Sequence, residues 1–221
     1  MAARVLRLSH RGDWRGAPEN TLAAFAAAMA IPACDGLEFD VRASVDGVPV
    51  IYHDATLQRV HGRRERVDSM TAAALRELGI PTLADLLASV GRRAFLDVEL
   101  KTDVGPAIVE VLAAGRGASL ADAVVSSAVP AALERMAHLA PAWPRWLVSE
   151  TLDARTVAVA RDLGCRAVAI DWRALHEDSI GLARAAGLDV ASWTVRRRST
   201  YQRLAGLGVI AICVEAAALD G

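Results

Sequence analysis

The sequence is poor in cysteine and has no long apolar run. Its three cysteines, Cys34, Cys165 and Cys213, are odd in number and widely spaced. This excludes a disulfide framework and gives no metal-binding spacing, so we expect buried free thiols in a reducing cytosol. No apolar run reaches the ~20 residues of a membrane span, and the N-terminus has no apolar segment typical of a signal peptide. We therefore expect a soluble, cytoplasmic protein without stable membrane association.

Charge of one sign is also lacking. Over 221 residues, 25 Lys and Arg nearly balance 26 Asp and Glu, which gives a formal net charge of −1. Such a balance gives no general attraction for nucleic acid or for an anionic membrane. We interpret local basic runs such as Arg196-Arg197-Arg198 as solvated loop surface. Apolar residues make up 53% of the chain, which is enough for a buried core and too much for a disordered chain.

Short apolar runs alternate with helical segments along the chain, and no linker divides them, so we expect one domain over residues 1–221. Apolar runs without polar alternation are typical of parallel strands covered on both faces. Eight such β-α units predict an α/β fold, a single-domain (β/α)8 TIM barrel. An open doubly wound sheet is the alternative, because the repeat alone does not show closure. The predicted strands are Val5–Ser9, Gly36–Ala43, Ala94–Lys101, Ala123–Ser127, Arg145–Ser149, Ala167–Asp171, Asp189–Val195 and Val209–Glu215.

Helices are predicted between these strands from their composition and their boundary residues. Asn20 is a capping signal for the first helix, and Gly115, Gly164, Gly187 and Gly208 are stop signals for four later ones. The predicted helices are Thr21–Ala30, Thr71–Leu78, Thr82–Val90, Val104–Ala114, Ala131–Leu139, Ala154–Leu163, Ser179–Ala186 and Ser199–Leu207.

One element falls outside this repeat, directly after strand two. Asp46-Gly47 is a strong signal for a two-residue hairpin turn, and the run 48–53 behind it is strand-like. We therefore predict a β-hairpin arm folded back on strand two. Pairing across that turn makes Asp40 and His53 direct cross-strand neighbours.

Three carboxylates lie on two neighbouring predicted strands. Glu38 and Asp40 are two residues apart and so share one face of strand two, while Glu99 lies on strand three. The C-terminal ends of barrel strands form the active-site mouth. Carboxylates gathered there are costly to bury without a cation, and an all-oxygen ligand set favours Mg²⁺ or Ca²⁺. We predict one divalent-cation site at these three residues, with a purely structural cluster as the alternative.

Two histidines and two cationic side chains accompany the carboxylates. His10 ends strand one and His53 ends the arm, and such a pair suits general acid-base catalysis near neutral pH. Arg11 and Lys101 suit the anionic oxygens of a phosphoryl group. Glu19 is predicted to contact the cation or Arg11, or else to make a structural hydrogen bond at the start of the first helix. The residue types thus suit acid-base chemistry beside an anionic oxygen shell, such as that of a phosphoryl group.

The order of these motifs resembles the N-terminal signature of the glycerophosphodiester phosphodiesterase family. The resemblance covers roughly the first half of the chain and continues more weakly at Val125-Ser126-Ser127 and Trp193-Thr194-Val195. The motifs that carry it are His10-Arg11-Gly12, Pro18-Glu19-Asn20-Thr21, Glu38-Phe39-Asp40-Val41, Asp46-Gly47-Val48-Pro49-Val50, His53-Asp54, Pro81-Thr82-Leu83 and Glu99-Leu100-Lys101.

The resemblance implies a (β/α)8 barrel that hydrolyses glycerophosphodiesters, small-molecule substrates, to an alcohol and glycerol 3-phosphate. It implies metal dependence and acid-base catalysis by two histidines. A lysophospholipid-directed phospholipase D on the same site and a non-catalytic phosphate-binding barrel are the alternatives. The roles it implies are catalysis by His10 and His53, phosphate binding by Arg11 and Lys101, a cation held by Glu38, Asp40 and Glu99, and Trp193 facing the substrate.

The chain departs from the family pattern at two positions and in one segment. Arg196 stands where the family usually has asparagine after Trp-Thr-Val, and Glu215 ends the last strand where the family usually has Thr-Asp. The segment between His53 and Pro81, where family members usually carry a cap over the substrate's alcohol, is short. These departures leave the alcohol open. Asp54 either orients His53 or caps the next turn.

Overall fold

The computed structural model describes residues 4–92 and 94–221, and within these ranges the chain forms nine β-strands. Their bounds are β1 (Leu6–His10), β2 (Gly36–Ala43), β3 (Pro49–Ile51), β4 (Phe95–Leu100), β5 (Ala123–Ser127), β6 (Arg145–Ser149), β7 (Ala167–Asp171), β8 (Asp189–Val195) and β9 (Ala211–Val214).

Eight of these strands form a closed parallel barrel. β1 pairs in parallel with β2 on one side and with β9 on the other, so the order of strands returns to its start. Closure confirms the predicted (β/α)8 barrel and excludes the open sheet. β3 pairs antiparallel with the end of β2 and lies outside the ring. The ends of β1, β2 and β4 are therefore adjacent.

Helices cover the outside of the barrel, and short 3-10 turns lie at Val67–Ser69, Trp172–Ala174 and Ala216–Ala218. The α-helices found in the described ranges are α1 (Leu22–Met29), α2 (Gln58–His61), α3 (Ala72–Glu77), α4 (Leu83–Ser89), α5 (Ala107–Arg116), α6 (Pro130–Leu139), α7 (Ala154–Asp162), α8 (Glu177–Ala185) and α9 (Arg198–Gly206).

Two helix boundaries predicted from the sequence were wrong. The side chain of Thr21, not that of Asn20, caps α1 by accepting a hydrogen bond from the backbone N–H of Ala24. Gly115 lies inside α5, which runs on to Arg116. A Cβ at Gly115 would lie 2.9 Å from a methyl carbon of Leu87 on α4, so this glycine permits close packing of two helices instead of ending one.

The hairpin arm exists, but its loop is one residue longer than predicted. The backbone N–H of Ser44 donates to the carbonyl of Val48, which leaves three residues in the loop. Gly47 takes φ +75°, the left-handed conformation that a three-residue loop with a bulge requires. The Ser44 hydroxyl donates to the Asp46 carboxylate at 2.6 Å and accepts the Val48 N–H at 3.0 Å, which holds the wider loop.

The longer loop shifts the register of the arm by one residue. Tyr52, not His53, lies opposite Asp40, and its backbone N–H donates to the Asp40 carbonyl at 3.0 Å. The predicted pairing of Asp40 with His53 was therefore wrong. His53 follows one position further along, where the chain has left the strand.

The barrel interior combines small side chains with the large ring of Trp146, and two larger apolar clusters separate the strands from the helices. Ala167, Ala169, Ala191 and Ala211 contribute to the interior cluster. One outer cluster joins α1, α4 and α5 to the strands of the first half, and the other covers the second half. Two small residues of this cluster, Ala169 and Cys213, lie in the wall of the cavity described below.

The cysteines are free thiols, and two of the three are buried as predicted. Burial raises the pKa of the Cys165 thiol to about 11, which makes it unreactive. Cys34 is only half-buried, contrary to the prediction. No helix in the part of the chain that the structure describes is long and apolar enough to cross a membrane. The cytoplasmic location stays a prediction.

Candidate active site

A cavity of about 320 Å³ opens at the C-terminal ends of the barrel strands. Barrel closure and the parallel direction of the strands bring side chains from distant parts of the chain to this end. Seven of the eight residues predicted for the site line the cavity, and the eighth, Asp40, is fully buried. The seven are His10, Arg11, Glu38, His53, Glu99, Lys101 and Trp193.

The turn after β1 has a constrained backbone. Arg11 takes φ +58°, which is uncommon for a residue with a side chain, and its N–H donates to the carbonyl of Glu38 at 2.9 Å. Gly12 follows with φ +83°, and a Cβ there would lie 2.7 Å from the carbonyl carbon of Ala24. Only glycine fits this approach to α1. The turn thus holds His10 and Arg11 at the cavity, and unusual φ values of this kind cluster at functional sites.

The three carboxylates predicted to bind a cation converge. Asp40 and Glu99 are direct partners in the parallel register of β2 and β4. Glu38, Asp40 and Glu99 each offer one oxygen, and these oxygens lie within 4.8 Å of one another. Oxygens bound to one hard cation at about 2.4 Å are separated by up to about 4.8 Å, so the spacing fits a single ion.

Glu38 is the residue that most needs a cation. It is 4% exposed, and neither of its carboxylate oxygens has a hydrogen-bond partner among the described residues. Burial, followed by repulsion from Asp40 and Glu99, raises the pKa of Glu38 well above its usual value. A buried carboxylate without a partner is costly, and a divalent ion would remove that cost. The donor set therefore fits the predicted Mg²⁺ or Ca²⁺.

Asp40 is held by cationic and amide groups. Lys101 Nζ lies 3.0 Å from Oδ1, and Arg11 Nε lies 3.0 Å from Oδ2. Burial alone would raise the pKa of Asp40, but the charges of Lys101 and Arg11 lower it to about 2. The side-chain amide of Asn20 also donates to Oδ2 at 2.8 Å, which is the role this residue has in place of capping α1. Lys101 Nζ further lies 2.5 Å from Oε1 of Glu99.

His10 is anchored by a carboxylate from the far end of the chain. Its Nδ1 lies 2.5 Å from Oε1 of Glu215, which follows β9, and its Nε2 lies 3.8 Å from Oε2 of Glu38. Glu215 is 6% exposed and also accepts a hydrogen bond from Arg196 Nε at 2.7 Å. Burial alone would raise the pKa of Glu215, but the bonds from His10 and Arg196 lower it. An ionised Glu215 can accept a hydrogen bond from Nδ1 of His10, which leaves Nε2 on the side of Glu38.

The two positions that depart from the family pattern are therefore in contact. Glu215 and Arg196 form one ion pair, although no local pattern in the sequence links them. The Arg196 side chain is 68% exposed, as expected for solvated surface, but its Nε reaches a buried carboxylate. Glu215 is the main site residue that was not predicted. The only indication of Glu215 in the sequence was its departure from the Thr-Asp pair that the family usually has there.

His53 is anchored by its own neighbour. Its Nδ1 lies 2.6 Å from Oδ1 of Asp54, which shows that Asp54 orients His53. Arg59 donates to Asp54 at 2.6 Å and to Glu19 at 2.6 Å. Glu19 accepts a bond from Arg11 at 3.0 Å, which confirms the predicted contact between these two residues. A continuous chain of ion pairs joins Arg11 to His53, and Arg59 at its centre was not predicted.

Asp97 is a further buried carboxylate in the cavity wall. It precedes Glu99 by two residues, so the two side chains share one face of β4. Burial raises the pKa of Asp97 to about 7, although the Ser126 hydroxyl donates to it at 2.5 Å. The spacing of Asp97, Glu99 and Lys101 already indicated this shared face, and the sequence reasoning missed it.

Trp193 forms part of the opposite region of the wall, at the end of β8. Its indole N–H donates to the carbonyl of Ala169 on β7 at 3.0 Å, which fixes the ring against the barrel. The half-buried ring lines the cavity, where it offers an apolar surface to a bound molecule.

The closed barrel carries two histidines and a cluster of three carboxylates at its mouth, where the active sites of (β/α)8 enzymes lie. The family model of the glycerophosphoryl diester phosphodiesterases matches residues 10–219. The chain belongs to this family of phosphoric diester hydrolases, which confirms the resemblance found in its sequence.

Individual relatives agree with this assignment. The glycerophosphodiester phosphodiesterase of Caldanaerobacter subterraneus is 34% identical over 115 residues, and the match spans about half of each protein, 46% of this chain and 47% of the relative. The glycerophosphodiester phosphodiesterase of Bacillus subtilis is 24% identical and matches 95% of this chain and 83% of its own. The structure of an Oleispira antarctica phosphodiesterase in complex with the product sn-glycerol-3-phosphate is 26% identical, with a TM-score of 0.84 and coverage of 95% and 92%.

Proposed function

We propose that the protein hydrolyses glycerophosphodiesters to an alcohol and glycerol 3-phosphate in a cation-dependent reaction at the barrel mouth. The observation that carries this proposal is the convergence, in one cavity, of a three-carboxylate cluster and two histidines that are each bonded to a carboxylate. Family membership and the product complex of the Oleispira antarctica relative support the substrate class.

Glu38, Asp40 and Glu99 would hold the cation, Mg²⁺ or Ca²⁺. When bound, such an ion lowers the pKa of an attacking hydroxyl and offsets the charge that develops on the phosphate. Arg11 and Lys101 line the same cavity and supply fixed positive charge to phosphoryl oxygens. Their contacts with Asp40 keep both cationic groups at the site before the substrate enters.

The histidines would move the protons. Because a carboxylate binds Nδ1 of each imidazole, Nε2 is the atom that exchanges a proton with the substrate. One histidine removes the proton from the attacking oxygen, and the other gives a proton to the departing alkoxide. Attack by water and attack by the neighbouring glycerol hydroxyl both need this pair. Trp193 would pack against the carbon atoms of the substrate.

Phosphorus NMR of the purified protein with a glycerophosphodiester tests the proposal. The signal of glycerol 3-phosphate should appear in the presence of Mg²⁺ or Ca²⁺, vanish with excess chelator and return when the ion is restored. Undiminished turnover in chelator, with no bound metal by elemental analysis, would refute the cation requirement. Absence of turnover of any glycerophosphodiester with either ion would refute the function.

Lys101 gives a readout of cation binding that does not depend on turnover, because it is the chain's only lysine. Protein labelled with ¹⁵N in lysine alone has a single side-chain signal, from an Nζ that contacts both Asp40 and Glu99. Titration with Mg²⁺ or Ca²⁺ should shift this signal in the wild type and not in Glu38→Gln. A signal that ignores both ions would contradict the proposed ligand set.

A further inference from the structure

A second groove opens beside the catalytic cavity, at the ends of β7 and β8. Its volume is about 520 Å³, and its walls include Trp172, Arg173, Trp193, Thr194, Arg196 and Arg197. Trp193 and Thr194 also line the catalytic cavity. The two spaces are therefore neighbours across the same two side chains, and a substrate held in the cavity can extend into the groove.

The groove carries an excess of positive charge. Arg173 is paired with Asp171 at 3.0 Å and Arg196 with Glu215 at 2.7 Å, while Arg197 has no ion-pair partner in the described parts of the chain. Of the residues that the structure describes, no acidic one lines the groove. Asp171 and Glu215 are thus already engaged, so Arg197 supplies the unpaired positive charge, and Arg173 and Arg196 supply further guanidinium N–H groups.

One of the two tryptophan rings that line the groove, that of Trp172, is already occupied by a cation. The guanidinium of Arg173 lies over the ring of Trp172, 4.7 Å from its centroid. A quaternary ammonium group is bound in proteins by open aromatic faces and nearby carboxylates. Here an arginine covers one face of Trp172, and the carboxylates are paired. A cationic alcohol would meet repulsion, whereas an anionic one would meet unpaired N–H donors.

We propose, building on the proposed function, that this basic groove receives the alcohol portion of the substrate and selects alcohols that carry negative charge. An alcohol bearing a second phosphodiester fits this chemistry, and choline does not. The groove shares Trp193 and Thr194 with the catalytic cavity, and charges closer than about 8 Å are only partly screened at physiological ionic strength. Arg196 and Arg197, two of the three consecutive arginines that we interpreted as solvated surface, therefore act in substrate selection.

Three glycerophosphodiesters with one common glycerol phosphate test this selection. Bis(glycerophospho)glycerol carries an anionic alcohol, glycerophosphoglycerol a neutral one and glycerophosphocholine a cationic one. Expressed per diester bond, kcat/KM should fall in that order, with roughly a 10-fold span between the first and the last at low salt, from about two favourable exposed ion pairs. High salt should narrow the span.

The double variant Arg173→Gln/Arg197→Gln removes two groove charges without touching the catalytic groups. It should lower kcat/KM for the anionic substrate by roughly 5- to 10-fold and leave the neutral one within about twofold. Arg155→Gln/Arg161→Gln on α7 is the matched control, with the same charge change on an outer helix and no expected effect. Arg196 is left intact because it bonds to Glu215.

The outcomes separate the groove from the catalytic proposal. Two results would overturn the proposed role of the groove and leave the hydrolytic function standing. One is equal turnover of the choline and anionic substrates, and the other is an unchanged preference for the anionic substrate in the double variant. If none of the three substrates is hydrolysed, both proposals fall. Thermal melting checks that the double variant is folded. Arg197→Gln alone, which breaks no ion pair within the described chain, repeats the test if it is not.

Discussion

The two halves of the barrel contribute to the active site in different ways. The first half, from β1 to β4, carries the carboxylate cluster and the cationic groups on consecutive strand ends. The second half contributes small interior residues, Trp193 and two carboxylates, Glu150 in the cavity wall and Glu215 beside His10. Because the site residues of the first half are close together in the chain, they can be recognised in the sequence as short motifs. Site residues from the second half are spread along the chain, and closure of the barrel brings them to the site.

The two histidines illustrate this difference. His53 is anchored by the next residue in the chain, Asp54, so its orientation is a local property. His10 is anchored by Glu215, 205 positions away, and the contact exists because β9 pairs with β1. The orientation of His53 thus depends on its immediate neighbour in the chain. The orientation of His10 depends on closure of the whole barrel. Four changes test this contrast.

The largest loss of activity should come from replacing either of the two histidines. His10→Ala or His53→Ala removes a group proposed to transfer a proton, so kcat should fall by roughly 10²- to 10⁴-fold with a smaller change in KM. His138→Ala on α6 is the matched control, since this exposed histidine bonds only to a helix carbonyl and should leave kcat unchanged. Near-normal kcat in both site variants would show that neither histidine is needed.

The second-largest loss of activity should come from a change in the second half of the barrel, at Glu215. Glu215→Gln removes the charge that holds Nδ1 of His10, and partners of this kind typically change activity by about 10- to 100-fold. The loss should appear in kcat, because Glu215 is proposed to position a group rather than to bind the substrate. Arg196→Gln keeps the carboxylate and should cost less than about fivefold, as for an exposed ion pair. Equal losses in the two variants would mean that the ion pair, not the histidine anchor, matters.

A smaller loss is expected from the ion-pair chain of the first half. Arg59 links Asp54 to Glu19 and is about half exposed. Arg59→Gln should lower kcat/KM by roughly two- to fivefold, the range of an exposed ion pair, and Arg59→Lys should recover part of it. Arg63→Gln, in a surface pair with Glu65, is the control. A loss as large as that of His53→Ala would make Arg59 part of the catalytic machinery, contrary to our account.

The smallest effect on catalysis is expected in the helix layer. Asp85 accepts bonds from Thr82 and Arg76, which outweigh burial and lower its pKa. This stability is present above the ordinary aspartate pKa of about 4 and is lost as pH falls through the lowered value. Asp85→Ala should therefore cost about 1 kcal/mol of unfolding free energy at pH 7 and less near pH 3, with unchanged kcat. Urea unfolding at both pH values checks this, and a cost that stays constant with pH would contradict it.

Much of the architecture was predictable because it depends on repeated, local patterns. Apolar runs between helical segments predicted the barrel, and the spacing of Glu38 and Asp40 predicted a shared strand face. The cation cluster followed from adding Glu99 on the neighbouring strand. Each inference needed only strand periodicity and the rule that parallel strands end together.

The remaining features depend on side-chain contacts that no local pattern reveals. The predicted register of the arm was wrong because the Ser44 side chain bonds across the loop and widens it. Asn20 looks like a helix cap, but its amide is needed by buried Asp40. Glu215 and Arg59 act through partners far away in sequence, so only closure of the barrel and packing of the arm identify them.

The most direct test of the two-histidine account compares substrates with poor and good leaving groups. A nitrophenyl phosphodiester needs little protonation of the departing oxygen, whereas a natural glycerophosphodiester needs it fully. We predict that one of the variants His10→Ala and His53→Ala recovers at least about 10-fold of its kcat loss on the activated substrate, and that the other recovers none. Equal losses on both substrates for both variants would contradict a division of proton transfer between the two histidines.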